Sequence, residues 1–250
     1  MVELCYPAPY LACLQLTRPQ CHNALTPALI DALLTHGENL AVEAHDAEVK
    51  VLLLTGAGTS FCAGLDIKQV QADSQAIEYL LSPYHSTLLP RSLGLTRVQA
   101  AALIWRYFPV PVIAILQGHV LGGGLQMALG ADIRLAAEDA QLGLLEMRHG
   151  LVPDMGLSQN ALGLLRYDQL LKLILDADPL DAQQALALGL VTEVHSDPYQ
   201  VGLALAHRWT QYNSFHLHQM KVLCQNQYQG TPIQALVQEE TRIQKAILAG

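Results

Sequence analysis

The sequence predicts an α/β fold in which buried strands alternate with helices around one large core. Hydrophobic residues make up 51% of the 250 residues, and the mean hydropathy is positive at +0.24. Two short runs, Val51 to Thr55 and Pro111 to Leu116, are apolar almost throughout, which is typical of strands covered on both faces. Helical patterns separate the strands, so the sheet is expected to be largely parallel, with right-handed crossovers.

The first half of the chain is predicted to begin as strand, helix and strand. Tyr10 to Leu16 is the first strand. Thr26 then serves as an N-cap, and Pro27 as the first residue of a helix that runs toward His45. The strand at Val51 to Thr55 leads into GAGTSFCAGLDI, a turn rich in small residues whose last two residues begin another helix.

Helices dominate the rest of the chain. Residues from Gln69 to Phe108 are helical in pattern but interrupted at Pro83 and Pro90. After Gly156 the pattern is amphipathic helix with one short strand, GLVTEV. The predicted elements in order are a strand at Pro111 to Leu116, a helix at Gly124 to Gly130, a strand at Ala131 to Ala136, and helices at Leu157 to Arg166, Asp168 to Ala177, Asp181 to Gly189, Tyr199 to Tyr212 and Phe215 to Leu248.

Composition and charge exclude several classes of function. The formal net charge is −8, with 14 Lys and Arg residues and no basic run, which argues against a surface that follows the phosphates of DNA or RNA. No apolar stretch reaches the roughly 18 residues of a membrane span, and the opening residues lack a signal-peptide pattern. The five cysteines include no CxxC pair, so neither disulfides nor a zinc site is predicted. We therefore expect a cytoplasmic protein that binds no nucleic acid, membrane or metal.

Two glycine-rich turns follow predicted strands, one from Cys62 to Asp66 and one from Gly122 to Gly124. The first N–H groups of a helix have no partner within it, and small residues let a ligand oxygen approach the backbone closely. Two such turns on neighbouring strands can direct two N–H groups at one oxygen, which is the arrangement of an oxyanion hole. The plainer interpretation is that the glycines only permit tight turns and close packing of helix on sheet.

Five motifs, in order along nearly the whole chain, identify a family that the sequence resembles. They are LTRPQCHNALT near the start, TGAGTSFCAGLDIK at 55–68, PVIAILQGHVLGGGLQMALGADIRLA at 111–136, LEMRHGLVPDMGLSQ at 145–159 and ALALGLVTEV at 185–194. On these motifs the chain resembles the crotonase family, also called the enoyl-CoA hydratase/isomerase family. A Rossmann dehydrogenase is not indicated, because no GxGxxG follows a predicted strand.

The resemblance implies a fold more specific than a parallel sheet. It implies a crotonase-like spiral of β-β-α turns with a C-terminal helical trimerisation region, assembled as a homotrimer or a dimer of trimers. We place the spiral core and its acyl-CoA site at residues 1–195, and the helical region at residues 196–250. The family usually has one more short helical stretch beyond the position of Gly250.

The resemblance also implies where an acyl-CoA thioester binds. The oxyanion N–H groups carry over to Leu65 and Gly123, and coenzyme A enters as part of the substrate, with no permanently bound cofactor. Arg18, in the LTRP motif, is expected either to approach the CoA phosphates or to be a solvated loop residue. The other residues that would line the CoA site are Ala63, near the adenine, and Gly64, Asp66, Ile67 and Gly122.

The chain departs from the family's hydratases at the acid and base. Those enzymes use two glutamates, and this chain has Gln126 at the first position and Glu146 at the second. An amide can hydrogen-bond water or substrate, but it cannot accept a proton as a base. A single carboxylate can still move a proton between the α and γ carbons, so the resemblance favours double-bond isomerisation by Glu146.

Three further residues near the motifs have competing interpretations. Asp154 occupies the position where dienoyl-CoA isomerases of the family carry a catalytic aspartate, and it is either a second proton-transfer group or the N-cap of a helix near Gly156. His119 is interpreted as a hydrogen-bonded core histidine. Cys62 is interpreted as a packing residue, because no His-Asp pair adjoins it in the motifs.

The sequence therefore predicts an enzyme of the enoyl-CoA hydratase/isomerase type that stabilises a thioester enolate. Two alternatives stay open. One is another enolate reaction, such as decarboxylation or hydrolysis of an acyl-CoA, because a shared fold fixes the intermediate better than the reaction. The other is a CoA-ester-binding protein without turnover, which the missing first glutamate would also suit.

Overall fold

The computed structural model describes residues 1–73, 75–228 and 232–248, which form nine β-strands and eleven α-helices. The strands are β1 Val2–Ala8, β2 Leu11–Leu16, β3 Val51–Gly56, β4 Val112–Leu116, β5 His119–Leu121, β6 Ile133–Ala137, β7 Gln141–Gly143, β8 Leu180–Asp181 and β9 Glu193–His195. The helices are α1 Pro27–His45, α2 Ile67–Ala72, α3 Ala76–Leu80, α4 Arg97–Leu103, α5 Gly123–Ala128, α6 Leu157–Asn160, α7 Tyr167–Asp176, α8 Ala182–Leu188, α9 Pro198–Thr210, α10 Ser214–Tyr228 and α11 Ile233–Leu248.

The strands form two sheets, and the chain contributes strands to both of them as it proceeds. The larger sheet has the order β1-β2-β3-β4-β6-β9 and is parallel except for β1, which pairs antiparallel with β2. The smaller sheet has the order β5-β7-β8, and an isolated bridge joins Cys62 to Val120 of β5. The chain therefore passes from a large-sheet strand to the small sheet and then into a helix, as in β4, β5 and α5. This arrangement is the predicted spiral of β-β-α turns.

Alternating residues of the central strands pack on opposite faces of the larger sheet. Leu52 and Leu54 of β3 belong to the main core, whereas Val51 and Leu53 belong to a second apolar cluster. Helix α9 covers that second cluster, with Ala206 completely buried in it. Both faces are thus covered, which explains why these strands are apolar at every position. The domain boundary at residue 195 stays a prediction.

Most predicted elements are present, with local differences that have physical causes. Thr26 caps α1 by accepting from the N–H of Leu29 at 3.2 Å, as predicted. The hairpin partner β1 was not predicted, since this exposed edge strand contains Pro7 and lacks a buried face. The helix expected from Leu157 to Arg166 ends at Asn160, because Gly163 has a φ of +80° that is incompatible with a helix.

The long segments were predicted less accurately. Residues from Gln69 to Phe108 contain the end of α2, the five-residue α3 and α4, joined by irregular chain. The helix predicted from Phe215 to Leu248 is instead two helices, α10 and α11, and residues 229–231 lie outside the described residues. Among the described helices, none combines the length and apolar character needed to span a membrane.

Candidate active site

The two glycine-rich turns lie against each other at the start of α5. Gly64 has a φ of +90°, and a side-chain carbon there would lie 2.8 Å from the carbonyl oxygen of Leu121 and 3.5 Å from the nitrogen of Gly123. A side-chain carbon on Gly124 would lie only 2.3 Å from the carbonyl oxygen of Cys62. Real contacts of this kind are not this short, so glycine at both positions lets the two backbones meet. Close packing is therefore one role of these glycines.

Two backbone N–H groups at this meeting point lack acceptors. Gly64 accepts from Leu25 N–H at 2.7 Å, and Asp66 donates to the Leu25 carbonyl at 2.8 Å, so the chain on both sides of Leu65 is fixed. The N–H of Leu65 has no acceptor within the described part of the chain. The N–H of Gly123, as the first of α5, likewise has no acceptor among the described residues, as is usual at a helix start.

A cavity of about 400 Å³ opens beside these two N–H groups. Its polar end contains the residues that the sequence singled out, on the two turns, on α5 and on the chain after β7. Nine of the eleven predicted site residues line it: Ala63, Gly64, Leu65, Ile67, Gly122, Gly123, Gln126, Glu146 and Asp154.

Gln126 and Glu146 form a hydrogen-bonded pair in the wall of this cavity. The Gln126 side-chain oxygen accepts from the N–H of Met155 at 2.8 Å, so its amide nitrogen is the atom that faces Glu146. That nitrogen donates to Glu146 Oε1 at 2.6 Å. Glu146 Oε2 is buried and has no hydrogen-bond partner among the described residues. The carboxylate therefore has one oxygen held and one oxygen free.

The environment makes Glu146 easier to protonate than an ordinary glutamate. Burial raises the pKa of its carboxyl, the hydrogen bond from Gln126 opposes that rise, and the negative charge of Asp154 adds to it. Burial also raises the pKa of Asp154. Carboxyls whose pKa moves toward neutrality in a cavity are suited to accept a proton and return it.

Asp154 does not cap the helix that follows it. The N-cap of α6 is Gly156, with a φ of +79° and no capping hydrogen bond from a side chain. The N-cap interpretation of Asp154 is therefore wrong. Asp154 instead lines the cavity, and its negative charge acts on Glu146.

Two predicted site residues, Arg18 and Asp66, lie beside the cavity without lining it. The Arg18 guanidinium donates to the carbonyl of Ala24 and pairs with Asp66 at 3.2 Å. Asp66 also caps α2 by accepting from the N–H of Gln69 at 3.2 Å. Both side chains thus hold the first turn in place. The expected contact of Arg18 with CoA phosphates stays a prediction.

Two other interpretations can be compared with the structure. His119 is exposed, and its ring packs edge-on against His22 with 5.1 Å between ring centroids, so the prediction of a core histidine was wrong. A position at the start of a three-residue strand, where side chains alternate, leaves this ring on the outer face. Cys62 is completely buried, and burial raises the pKa of its thiol to about 12, in agreement with a packing role.

The sequence analysis did not identify the residues that form the apolar end of the cavity. Val70 of α2 and Val98 of α4 contribute to it, together with side chains of α3. Leu151 and Val152 also line the cavity, and about half or more of each side chain is exposed. The short helices of this segment are too brief for a helical period to show in the sequence. The remaining residues at this end are Gln71, Ile77, Leu80 and Leu81.

Residues that support Gln126 were also missed. Asn160 is fully buried and donates to the backbone carbonyls of Gln126 and Ala102, both at 3.2 Å. Met155 contributes only its N–H, which any residue other than proline could supply. A backbone donor cannot be recognised from the residue type. Asn160 lies in a predicted helix to which the sequence analysis assigned no function. The sequence offered no signal for either contact.

A second and larger cavity, of about 680 Å³, lies at the far side of β6 against α9 and α10. Trp209, Leu217 and Met220 contribute to its apolar lining. Beside them, Lys221 pairs with Asp132 at 2.7 Å and links α10 to the sheet. None of the predicted site residues lies among its described lining residues, so the smaller cavity is the candidate active site.

The sequence and the fold both match known proteins. Residues 10–249 match the family described as Enoyl-CoA hydratase/isomerase. The enoyl-CoA hydratase domain-containing protein 2, mitochondrial, of Mus musculus is 37% identical over 198 residues, which cover 76% of this chain and 62% of that protein. A probable enoyl-CoA hydratase of Bacillus subtilis (strain 168) is 32% identical over 192 residues, covering 77% of this chain and 68% of that protein. The chain thus spans less than two thirds of the mouse relative's length.

Solved structures agree over nearly the whole chain. An enoyl-CoA hydratase from Bacillus anthracis superposes with a TM-score of 0.86 at 25% identity, covering 100% of this chain and 91% of that one. A putative enoyl-CoA hydratase from Thermobifida fusca YX, in complex with acetoacetyl-CoA, superposes with a TM-score of 0.81 at 27% identity. That match covers 99% of this chain and 94% of the other. The crotonase-like fold predicted from the motifs is confirmed.

Proposed function

Because this chain belongs to the enoyl-CoA hydratase/isomerase family, we propose that it is an acyl-CoA enzyme that moves a double bond through a thioester enolate. Glu146 is the group that carries the proton. The observation that carries the proposal is the state of this carboxylate, which is half-buried in the cavity with one oxygen held by Gln126 and the other without a described partner. Coenzyme A takes part as the thioester portion of the substrate.

The backbone N–H groups of Leu65 and Gly123 are the proposed oxyanion donors. When a proton leaves the α carbon of a thioester, the negative charge moves onto the thioester oxygen. In this proposal the two N–H groups stabilise that charge without reorganising, and each donor of this kind lowers the barrier by roughly 3 kcal/mol. Both groups adjoin the same cavity as Glu146, and neither has a described acceptor to displace.

The proposed reaction needs one base that later acts as an acid. The Glu146 carboxylate accepts a proton from the α carbon of a 3-enoyl thioester, and the electrons of the C–H bond form a dienolate. The same carboxyl then returns the proton to the γ carbon, which gives the 2-enoyl thioester. No other group gains or loses a proton, so a single carboxylate is sufficient.

Hydration is disfavoured by the way Gln126 is bonded. Adding water across a double bond needs a group that activates the water and a group that protonates the α carbon. The Gln126 oxygen is occupied by Met155 N–H, and its nitrogen donates to Glu146. The amide therefore orients the one carboxylate and provides no second base.

Assembly and location complete the proposal. We propose a homotrimer or dimer of trimers, as the family resemblance implies, which acts in fatty acid metabolism in the cytoplasm. The mouse relative is named a mitochondrial protein, and the Thermobifida fusca structure is named as a complex with acetoacetyl-CoA. The first name gives mitochondria as the alternative location, whereas the second supports an acyl-CoA substrate.

The test is a substrate panel with the purified chain and the Glu146→Gln variant. We expect turnover of a 3-enoyl-CoA to exceed hydration of crotonyl-CoA and decarboxylation of a malonyl-type thioester. Glu146→Gln should lower that turnover by roughly 10²–10⁴-fold, because it removes the base, while thioester affinity stays nearly unchanged. Equal turnover in the variant would remove Glu146 from the mechanism.

Gln126→Glu is the matched gain-of-function variant. It restores a second carboxylate beside Glu146, so hydration of crotonyl-CoA should rise relative to isomerisation. Preferred turnover of the malonyl-type thioester would instead favour the decarboxylase alternative, and release of free CoA would favour a hydrolase. Binding of CoA esters without turnover of any of them would show that the chain is a binding protein.

A further inference from the structure

The apolar end of the cavity depends on a helix that cannot hold itself in place. Helix α3 has five residues, far fewer than the roughly 12–15 that an isolated helix needs to be even marginally stable. Its Leu80 is buried in the core, while Ile77 and the adjoining Leu81 line the cavity and remain about half exposed. Packing of Leu80 in the core holds one face of α3, and contacts outside the cavity hold another.

Three side chains on the opposite side of α3 form what we call the outer clasp: Asp31 of α1, Tyr79 of α3 and Arg97 of α4. The Tyr79 hydroxyl donates to Asp31 Oδ2 at 2.6 Å. The Arg97 guanidinium pairs with Asp31 Oδ1 at 2.9 Å and lies over the Tyr79 ring, 4.3 Å from its centroid. Each member thus contacts the other two, and the three helices are joined at one point.

Arg97 also anchors the chain that leaves α3. Its N–H donates to the carbonyl of Ser82 at 3.1 Å, and its Nε donates to Ser82 Oγ at 3.3 Å. Tyr84 N–H donates to the carbonyl of Leu95 at 2.9 Å, and this hydrogen bond joins the two ends of the loop between these residues. The guanidinium lies 5.4 Å from the Tyr84 ring centroid as well. Arg97 is consequently bound to the C-terminal end of α3 and to the residues that follow it.

We propose that the outer clasp positions α3 as the wall for the distal part of the acyl chain, so that Arg97 and Tyr79 set chain-length selectivity without touching the reacting atoms. This inference rests on the proposed function, since it concerns the same cavity. Both residues are positioning residues.

The two ends of the cavity make the effect depend on substrate length. A four-carbon acyl group ends close to its thioester, beside Glu146 and the two N–H donors. A ten-carbon group extends to α3 and buries apolar surface on Ile77 and Leu81, which strengthens its binding. Freeing α3 therefore weakens binding of the long chain and leaves binding of the short chain nearly unchanged.

Binding of saturated thioesters tests the role of the outer clasp in chain-length selectivity, and it needs no turnover. We compare the dissociation constants of butyryl-CoA and decanoyl-CoA by calorimetry for the wild-type chain and Arg97→Met, which keeps much of the aliphatic stem. The decanoyl-CoA constant should rise about tenfold, a change of about 1.4 kcal/mol, with the butyryl-CoA constant within about twofold. Arg166→Met removes an exposed pair with Asp168 on α7 and should change neither constant.

Two further variants separate positioning from folding. Tyr79→Phe keeps the ring under the guanidinium but removes the hydrogen bond to Asp31, so a change of about threefold for decanoyl-CoA alone is expected. Arg97→Lys keeps the charge and should restore part of the long-chain affinity, because a lysine ammonium can pair with Asp31 but does not stack as a guanidinium does.

Each outcome has a distinct meaning. Equal weakening of both thioesters in Arg97→Met and Tyr79→Phe, or of neither, overturns the role of the outer clasp. Wild-type binding of neither thioester would overturn this inference together with the proposed function. Selective loss of decanoyl-CoA binding in a protein that turns over no thioester would leave the clasp established and overturn only the proposed reaction.

Discussion

The polar and apolar ends of the cavity are built in different ways. At the polar end, backbone groups of two turns meet through Gly64 and Gly124, and the side chains of Gln126 and Glu146 bond directly to each other. At the apolar end, side chains from several short helices supply the wall, and α3 is held from outside. The first end has little freedom to vary, whereas the second can change without disturbing the chemistry.

The difference follows from the kinds of contact involved. A side-chain carbon added to Gly64 or Gly124 would lie closer to the neighbouring backbone than ordinary contacts allow. Even one methyl group would therefore force the two backbones apart. The part of the apolar wall that is open to solvent accommodates side chains of different size at little cost, whereas its buried Leu80 does not. Four sets of variants test the two ends, and they are ordered by the expected size of the effect.

The largest effect is expected where the apolar wall enters the core. Leu80 is only 3% exposed, so Leu80→Ala should lower the free energy of unfolding by about 2–5 kcal/mol through lost burial and a cavity. Ile77, three residues earlier, is 55% exposed, and Ile77→Ala should cost no more than about 0.5 kcal/mol. Urea unfolding measures both. Similar losses for the two variants would show that α3 is not anchored through Leu80.

The next effect concerns the meeting of the two turns. Gly124→Ala places a carbon 2.3 Å from the Cys62 carbonyl oxygen, so it should cost about 1–3 kcal/mol of stability and displace the N–H of Gly123. Turnover should fall even at temperatures where the variant is folded. Gly94 has a φ of +56° with open space around it, so Gly94→Ala should cost about 1 kcal/mol and keep full turnover. Normal activity in the Gly124 variant would contradict the proposed oxyanion donors.

A smaller effect is expected in the pH dependence of stability. Because burial raises the pKa of Glu146 in the folded state, the folded chain binds more protons than the unfolded chain between the ordinary and the raised value. Wild-type stability should therefore decrease as pH rises through that window. Glu146→Gln keeps the hydrogen bond from Gln126 without the charge, so its melting temperature should exceed that of the wild type at neutral pH and match it in acid. A difference independent of pH would contradict this reading.

The smallest expected effect is a shift in the pH profile of turnover. Activity should rise with pH as the proposed base loses its proton. The charge of Asp154 raises the pKa of Glu146, so Asp154→Asn should move the midpoint to lower pH. His149 has the opposite influence, and His149→Gln should move the midpoint to higher pH. Complete loss of turnover in Asp154→Asn would instead make Asp154 a proton-transfer group in its own right.

Much of the fold could be predicted because its signals are local. Thr26 and Asp66 mark the starts of two helices, and continuous apolar runs mark β3 and β4. Elements without a local signal were missed, such as β1 with its exposed edge and the three-residue strands β5 and β7. Strands this short are defined by their partners, which lie far away in the sequence.

By itself, the sequence determined which residues are available for chemistry at the polar end. The glycine turns, Gln126 and Glu146 lie in motifs that resemble those of a known family, and nine of the eleven predicted residues line one cavity. Only the tertiary structure decided what surrounds them: that Met155 N–H orients the Gln126 amide, that Asp154 joins the wall and caps no helix, and that Asp31, Tyr79 and Arg97 meet behind α3. These contacts join residues that are distant in the chain, and hydrogen-bond direction and burial exist only once the chain has folded.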